Sequence, residues 1–212
     1  MRKLTRDDDP YAIRDKIVPI YLRKILRRFK QLNNSLLGFD ELNVLSAVNV
    51  TYEDVVAMTV EALKEIAKRT WRWVNGSDDG FFVDLWLAGF FSNPDPVTHY
   101  KFYDEADRKR SRLFEALESV TGKAERKKQI DIALRYWTKQ FEQTADDVVD
   151  AVIEKALIDN GVKYAMWVTM KDERVCEDCH ERDGKIYPIA SFPAKPHYNC
   201  RCRKVPVSYK KK

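Results

Sequence analysis

Four cysteines and two histidines crowd into the final part of a 212-residue chain. They read Cys176-Glu-Asp-Cys179, then twenty residues, then Cys200-Arg-Cys202, with His197 three positions ahead of Cys200. The 175 residues before them hold no cysteine. Thiolates and an imidazole offered from two short hooks can surround one tetrahedral zinc with Zn–S near ~2.3 Å. Cys176, Cys179, His197, Cys200 and Cys202 are therefore the candidate metal ligands. Five donors face four places; Cys176 and Cys179 are the firmest, and spacing leaves open which member of the second hook stands aside.

Other chemistries of the same residues fit less well. A disulfide pair needs an oxidising compartment, and no secretory signal marks the N-terminus, so folding in a reducing cytoplasm is expected. Cys176-Glu-Asp-Cys179-His180 also spells a haem-attachment pattern, but haem attachment follows export and leaves the second hook unexplained. A thioredoxin-like role lacks its βαβ surroundings. The enzymatic alternative is a zinc-stapled nuclease using His180, His197, Asp178 and Asn199 on a phosphodiester. Against it, no spare carboxylate and histidine set stands at a recognisable spacing, and His99 beside Tyr100 reads as an ordinary histidine. No catalytic residues are assigned.

Size supports the metal independently. The segment from Trp167 to Val207 has few large apolar side chains, and a piece of about 45 residues without its own core usually needs a metal, a disulfide or a partner. Alternation of strand-forming residues predicts three short strands in it, at Tyr164–Met170, Gly184–Pro188 and Lys204–Tyr209. Pro206 confines the third to an edge.

Everything upstream carries a helical period. Asp9 and Pro10 suit an N-cap and a first helical position, and Leu22, Ile25, Leu26, Phe29, Leu32 and Leu36 follow on one face, with Pro19 expected to kink or split the helix. Gly38 ends it. Thr51 and Asp54 resemble a capping box opening a second helix to Asn75-Gly76. Phe81 to Phe91 is expected to be a buried helix, closed by Asn93-Pro94-Asp95-Pro96. Further helices are predicted over Val97–Val120 and Ala124–Asn160, the latter with a possible break near Thr144 and a stop at Asn160-Gly161. The fold class is mainly α: a helical body over 1–160 and a small β-rich, zinc-stapled region with a basic tail over 161–212.

The eleven-residue apolar run is well short of the ~20 that span a membrane, so no membrane partner is expected. Net charge is only +5, but basic residues bunch at Arg23/Lys24/Arg27/Arg28/Lys30, at Arg108 to Arg112 and at Lys210-Lys211-Lys212. Solvated helix faces explain any one bunch; together they make contact with a polyanion such as double-stranded DNA an expectation.

The run from Gly161 through Trp167, Thr169, Asp172, Arg174, Cys176 and Cys179, with Gly184 and then Pro196-His197-Tyr-Asn199-Cys200-Arg201-Cys202, closely resembles the C-terminal signature of the phage Mu F-like head-morphogenesis family. The likeness covers about a quarter of the chain. Upstream it is weaker: where such proteins often carry Arg-Thr-Glu, this chain has Gln143-Thr144-Ala145. The resemblance implies a non-enzymatic minor head protein of a tailed phage, working with the portal and other head proteins in assembly. It would act in the host cytoplasm and end in the virion. Arg174 and Arg201 are expected to orient the metal-bound region through guanidinium hydrogen bonds.

Overall fold

A computed structural model describes residues 4–5, 8–36, 41–95, 99–170, 175–197, 200 and 202–207. The elements run α1 (Ala12–Ser35), α2 (Glu41–Asn75), α3 (Val83–Ser92), α4 (Phe102–Glu118), α5 (Lys123–Asp159), β1 (Tyr164–Val168), α6 (Glu177–Arg182), β2 (Ile186–Pro188), a short 3-10 turn at Ile189–Ser191, and β3 (Arg203–Pro206). Helix dominates, as the apolar periodicity requires. Asp9 accepts a hydrogen bond from the Tyr11 N–H at 2.9 Å, the cap expected at the head of α1. At the other end of the helical region Gly161, at φ +71°, lets the chain turn back. Its N–H reaches Ile158 O while that of Val162 reaches Leu157 O, which together satisfy two terminal carbonyls of α5.

Several expectations need correcting. Pro19 lies inside α1 without splitting it. Thr51 opens no helix: α2 begins ten residues earlier, and Thr51 is fully buried in its interior. No break interrupts α5 near Thr144; its 37 residues are continuous. Helix α3 is not buried all round, since only Val83, Leu87 and Phe91 turn inward while Phe82 and Leu85 are each 76% exposed. Helix α4 starts at Phe102. The stop at Gly38, the prolyl residue Pro96, Val97 and the terminal lysines lie outside the described residues.

The chain divides into two compact units, each with its own packing. One comprises Ile17–Lys64 and Phe82–Glu142. Its core gathers Ile25, Phe29 and Leu32 of α1, Val48, Tyr52 and Leu63 of α2, Leu113 of α4 and Trp137 and Phe141 of α5. Tyr52 meets Trp137 edge-on with centroids 5.6 Å apart, and Phe29 meets Tyr52 likewise at 6.0 Å. Trp137, 1% exposed, donates its indole N–H to Thr59 Oγ1 at 3.1 Å, and that hydroxyl donates to Val55 O at 2.8 Å. The chain thereby buries an indole without orphaning its polar atom.

The other unit comprises Met1–Lys16, Glu65–Phe81 and Gln143–Lys212. Here β1 is the central strand of an antiparallel sheet ordered β2-β1-β3, with Ala165 opposite Tyr187 and Met166 opposite Val205. Pro206 sits on the edge strand, where a missing N–H is harmless. Gly184, at φ +77°, carries the chain into β2, and its N–H donates to Trp167 O at 2.8 Å. The sheet is tied to helices of the same unit by a polar network. The Tyr11 hydroxyl donates to Asp150 Oδ1 at 2.7 Å and approaches Cys202 O at 3.2 Å, while Lys195 Nζ donates to the Tyr11 oxygen at 2.7 Å and pairs with Asp150. Next to it, Arg14 Nε lies 2.7 Å from Asp146 Oδ1. Burial pushes the Asp146 carboxyl up from 3.8 to about 6, against the pull of Arg14 and Lys195.

Two outcomes follow from this packing. Replacing Thr59→Val keeps the shape but strands the Trp137 N–H, and urea unfolding should show a loss of about 1–3 kcal/mol; an unchanged midpoint would mean the indole finds another acceptor. For Asp146, a raised folded pKa means the folded state holds more protons than the unfolded one between about 4 and 6. Its contribution to stability therefore falls as pH rises through that window. Compared with Asp146→Asn, whose side chain does not titrate, the parent should gain roughly 1–2 kcal/mol on going from pH 7.5 to 4.5. A gap moving the other way would show that Arg14 outweighs burial.

Candidate metal centre

The cysteine-rich region takes its shape from the start of α6. Cys176 is the N-cap of this helix, its Sγ accepting the Cys179 N–H at 3.4 Å. Glu177 and Asp178 occupy the first turn, where carboxylates suit the helix dipole. The C-x2-C spacing thus places two sulfurs side by side: Cys176 at the rim and Cys179 inside, 1% exposed. The second hook returns along the segment that leads into β3, which brings Cys200 and Cys202 under cover beside Cys179.

All five sequence-derived candidates meet. Cys176, Cys179 and His197 form one set of donors mutually within 4.8 Å, and Cys179, Cys200 and Cys202 form another, so Cys179 is common to both. His197 Nε2 stands 3.1 Å from Cys176 Sγ, and Cys179 Sγ 3.5 Å from Cys200 Sγ. Tetrahedral ligands at ~2.3 Å from a zinc are ~3.8 Å apart, so small outward movements would admit an ion. None of the four cysteines is in a disulfide. The donor set, thiol sulfur with one imidazole, is the chemistry that zinc prefers, and the cluster could hold a metal ion.

Proton sharing tells the same story. The Cys200 thiol is drawn down to about 5, first by the hydrogen bond from Cys202 and also by the Lys195 ammonium, against the opposing effect of burial. Cys202, donating that bond, is pushed up, with burial adding to the rise. Burial pushes Cys179 up to about 12. Cys176 is held below its ordinary value: burial opposes, but the Cys179 N–H and His197 win. Without a cation, negative charge is confined to part of the set, because adjacent thiolates repel. A divalent ion would displace the remaining protons.

Around the sulfurs lies a small apolar wall. Trp167 is buried with Cys179, Cys200 and Cys202, and Val175, Tyr187 and Phe192 pack against them. The Trp167 and Phe192 rings stack at 5.6 Å and 7°. Arg182 sits over the Trp167 ring at 5.1 Å and donates to Ala194 O at 2.9 Å. His180 is exposed on α6 and His99 is exposed at φ 60°. Asp172, Arg174, Asn199 and Arg201 lie outside the described residues. Sequence reasoning missed Tyr11, Asp150 and Lys195. Tyr11 and Cys202 are 191 positions apart, and no local spacing signals a contact at that range.

Over 52 residues the chain is 42% identical to a Haemophilus influenzae strain Rd protein described as "Uncharacterized protein", a stretch that is 22% of this chain and only 12% of that protein's length. No solved structure matches. Residues 110–205 match the family model described as "Phage Mu protein F like protein", a span holding the end of α4, all of α5 and every candidate ligand. Over those residues, a little under half of its length, the chain is similar to phage Mu protein F-like proteins, a likeness that suggests phage head morphogenesis.

Proposed function

We propose that this protein is a structural minor head protein of a tailed phage, joined to the portal region and acting in head assembly, with its C-terminal region fastened by zinc. The observation that carries the reading is the family match, because it spans α5 and the whole donor cluster together. A non-enzymatic role accords with the family's structural character. No described helix is long and apolar enough to cross a membrane. Four donors drawn from Cys176, Cys179, His197, Cys200 and Cys202 hold the ion. Its role is cohesive: structural zinc contributes apparent binding energies of ~10–16 kcal/mol in isolated fingers, on the scale of a whole domain's stability. Lys195 and Tyr11 support the second hook from behind, through Asp150 and the Cys202 carbonyl.

Elemental analysis of freshly purified protein should find about one zinc per chain. Cys179→Ser removes the sulfur shared by both donor sets, so it should release the metal and expose the β-strand amides to hydrogen exchange. Metal-free protein with unchanged exchange protection would overturn the zinc reading.

Head assembly is tested separately. Phage carrying a disrupted copy of this gene should yield few mature heads, rescued by the intact protein, and the tagged protein should co-purify with portal oligomers. Normal heads without the protein, or no portal in the purified complex, would overturn the assembly role.

A further inference from the structure

Two cationic bunches that look alike in sequence have different surroundings in the fold. In α4 three of the four cations are occupied, and only Arg112 is exposed without an ion pair among the described residues. Buried Glu105 takes Arg108 at 2.8 Å and Lys109 at 3.0 Å, Asp107 takes Arg110 at 3.4 Å, and Arg108 also covers the Tyr100 ring at 4.2 Å. Exposed Asp104, Asp107, Glu115 and Glu118 further dilute the field of this helix.

In α1, from Ile17 to Ser35, there is no carboxylate at all. Arg28 turns aside to Asp54 of α2 at 2.5 Å. Arg23, Arg27 and Lys30 are exposed and make no ion pair among the described residues. Their i, i+4, i+7 spacing gathers them within roughly 60° of arc and over about 10 Å of helix, with exposed Asn34 one turn further on. The buried set Val18, Tyr21, Ile25, Phe29 and Leu32 occupies the opposite side of the same helix. Packing thus fixes the orientation of the cationic row, which points directly at solvent.

We infer that the outer face of α1, through Arg23, Arg27 and Lys30, is a docking surface for the phosphate backbone of a nucleic-acid duplex. A row of one sign, unneutralised by its own helix, is what counterion release from a polyphosphate rewards. Guanidinium and ammonium groups satisfy phosphate oxygens from a rigid helix without base contacts, so the binding carries no sequence preference. A protein partner fits less well, because protein interfaces place aromatic and apolar anchors at their centre and are depleted in lysine. No aromatic side chain lies in this row, and the exposed aliphatic side chains of Ile20 and Leu26 stand at its two edges rather than at its centre. The inference stands on the charge and burial of α1 and is independent of the head-assembly reading.

The test uses the full chain and a labelled 30-base-pair duplex of arbitrary sequence, with affinity read by fluorescence anisotropy between 50 and 200 mM salt. The triple variant R23Q/R27Q/K30Q should bind at least tenfold more weakly at low salt, and the slope of log affinity against log salt should fall by about 3. The comparison variant K101Q/R110Q/R112Q removes the same charge from the α4 side and leaves the Glu105 pairs intact; it should bind within about threefold of the parent. The charge-conserving R23K/R27K should also stay within about threefold, and circular dichroism checks that each variant keeps its helix content. Equal weakening by both triple variants would reduce the effect to net charge and overturn the assignment. Undetectable duplex binding by the parent at 50 mM salt, or capture of an acidic protein by the same row without duplex binding, would overturn it too.

Discussion

Burying sulfur donors side by side is the constraint from which the C-terminal architecture follows. Cys179, Cys200 and Cys202 are all nearly inaccessible, with Cys176 and His197 at their edge. Such a group cannot be fully ionised without a cation, and fully protonated thiols would be weak hydrogen-bonding partners with little to hold two loops together. The fold answers by making Cys179 the junction: it follows an N-cap cysteine by three residues on α6 and touches the second hook across 21 residues of chain. Trp167 and Phe192 then shield the sulfurs.

The strands depend on that junction more than on their own pairing. β2 has three residues and β3 four, and both lean on the five of β1. Short strands of this kind are marginal in isolation. What they gain comes from two directions within the same unit: the sulfur cluster, and the network in which Tyr11 and Lys195 reach Asp150 on α5 and the Cys202 carbonyl. That arrangement explains why the cysteine-rich region shares a compact unit with the start of α1 and the latter part of α5.

Much of this was legible in the residues, for reasons that can be named. The two cysteine hooks and His197 were found by spacing alone, because metal ligation restricts both residue type and separation. Asn160-Gly161 marked the end of α5 because a left-handed position selects glycine. Thr51 misled because a capping pattern is local, whereas the start of α2 at Glu41 is set by the apolar stripe through Val44 and Val48. The run from Phe81 to Phe91 misled differently: near-continuous apolar residues state no preferred side, and only three of them found a core to face. The contact of Tyr11 with Cys202 was invisible, since nothing in a tyrosine near one end announces a carbonyl near the other.

Polar groups sort the helical side of the molecule in the same manner. Trp137 is buried where Thr59 offers an acceptor, and Glu105 where Arg108 and Lys109 both reach it. In each case the apolar stripe chose the face and a specific partner made it tolerable, because an unpaired polar atom costs more than the pair contributes. Asp146 is the instructive exception. It keeps Arg14 as a partner, yet burial still raises its carboxyl to about 6, so here desolvation exceeds the attraction that accompanies it. Asp146 fixes Arg14 three residues from Tyr11, the residue that reaches the Cys202 carbonyl just ahead of β3.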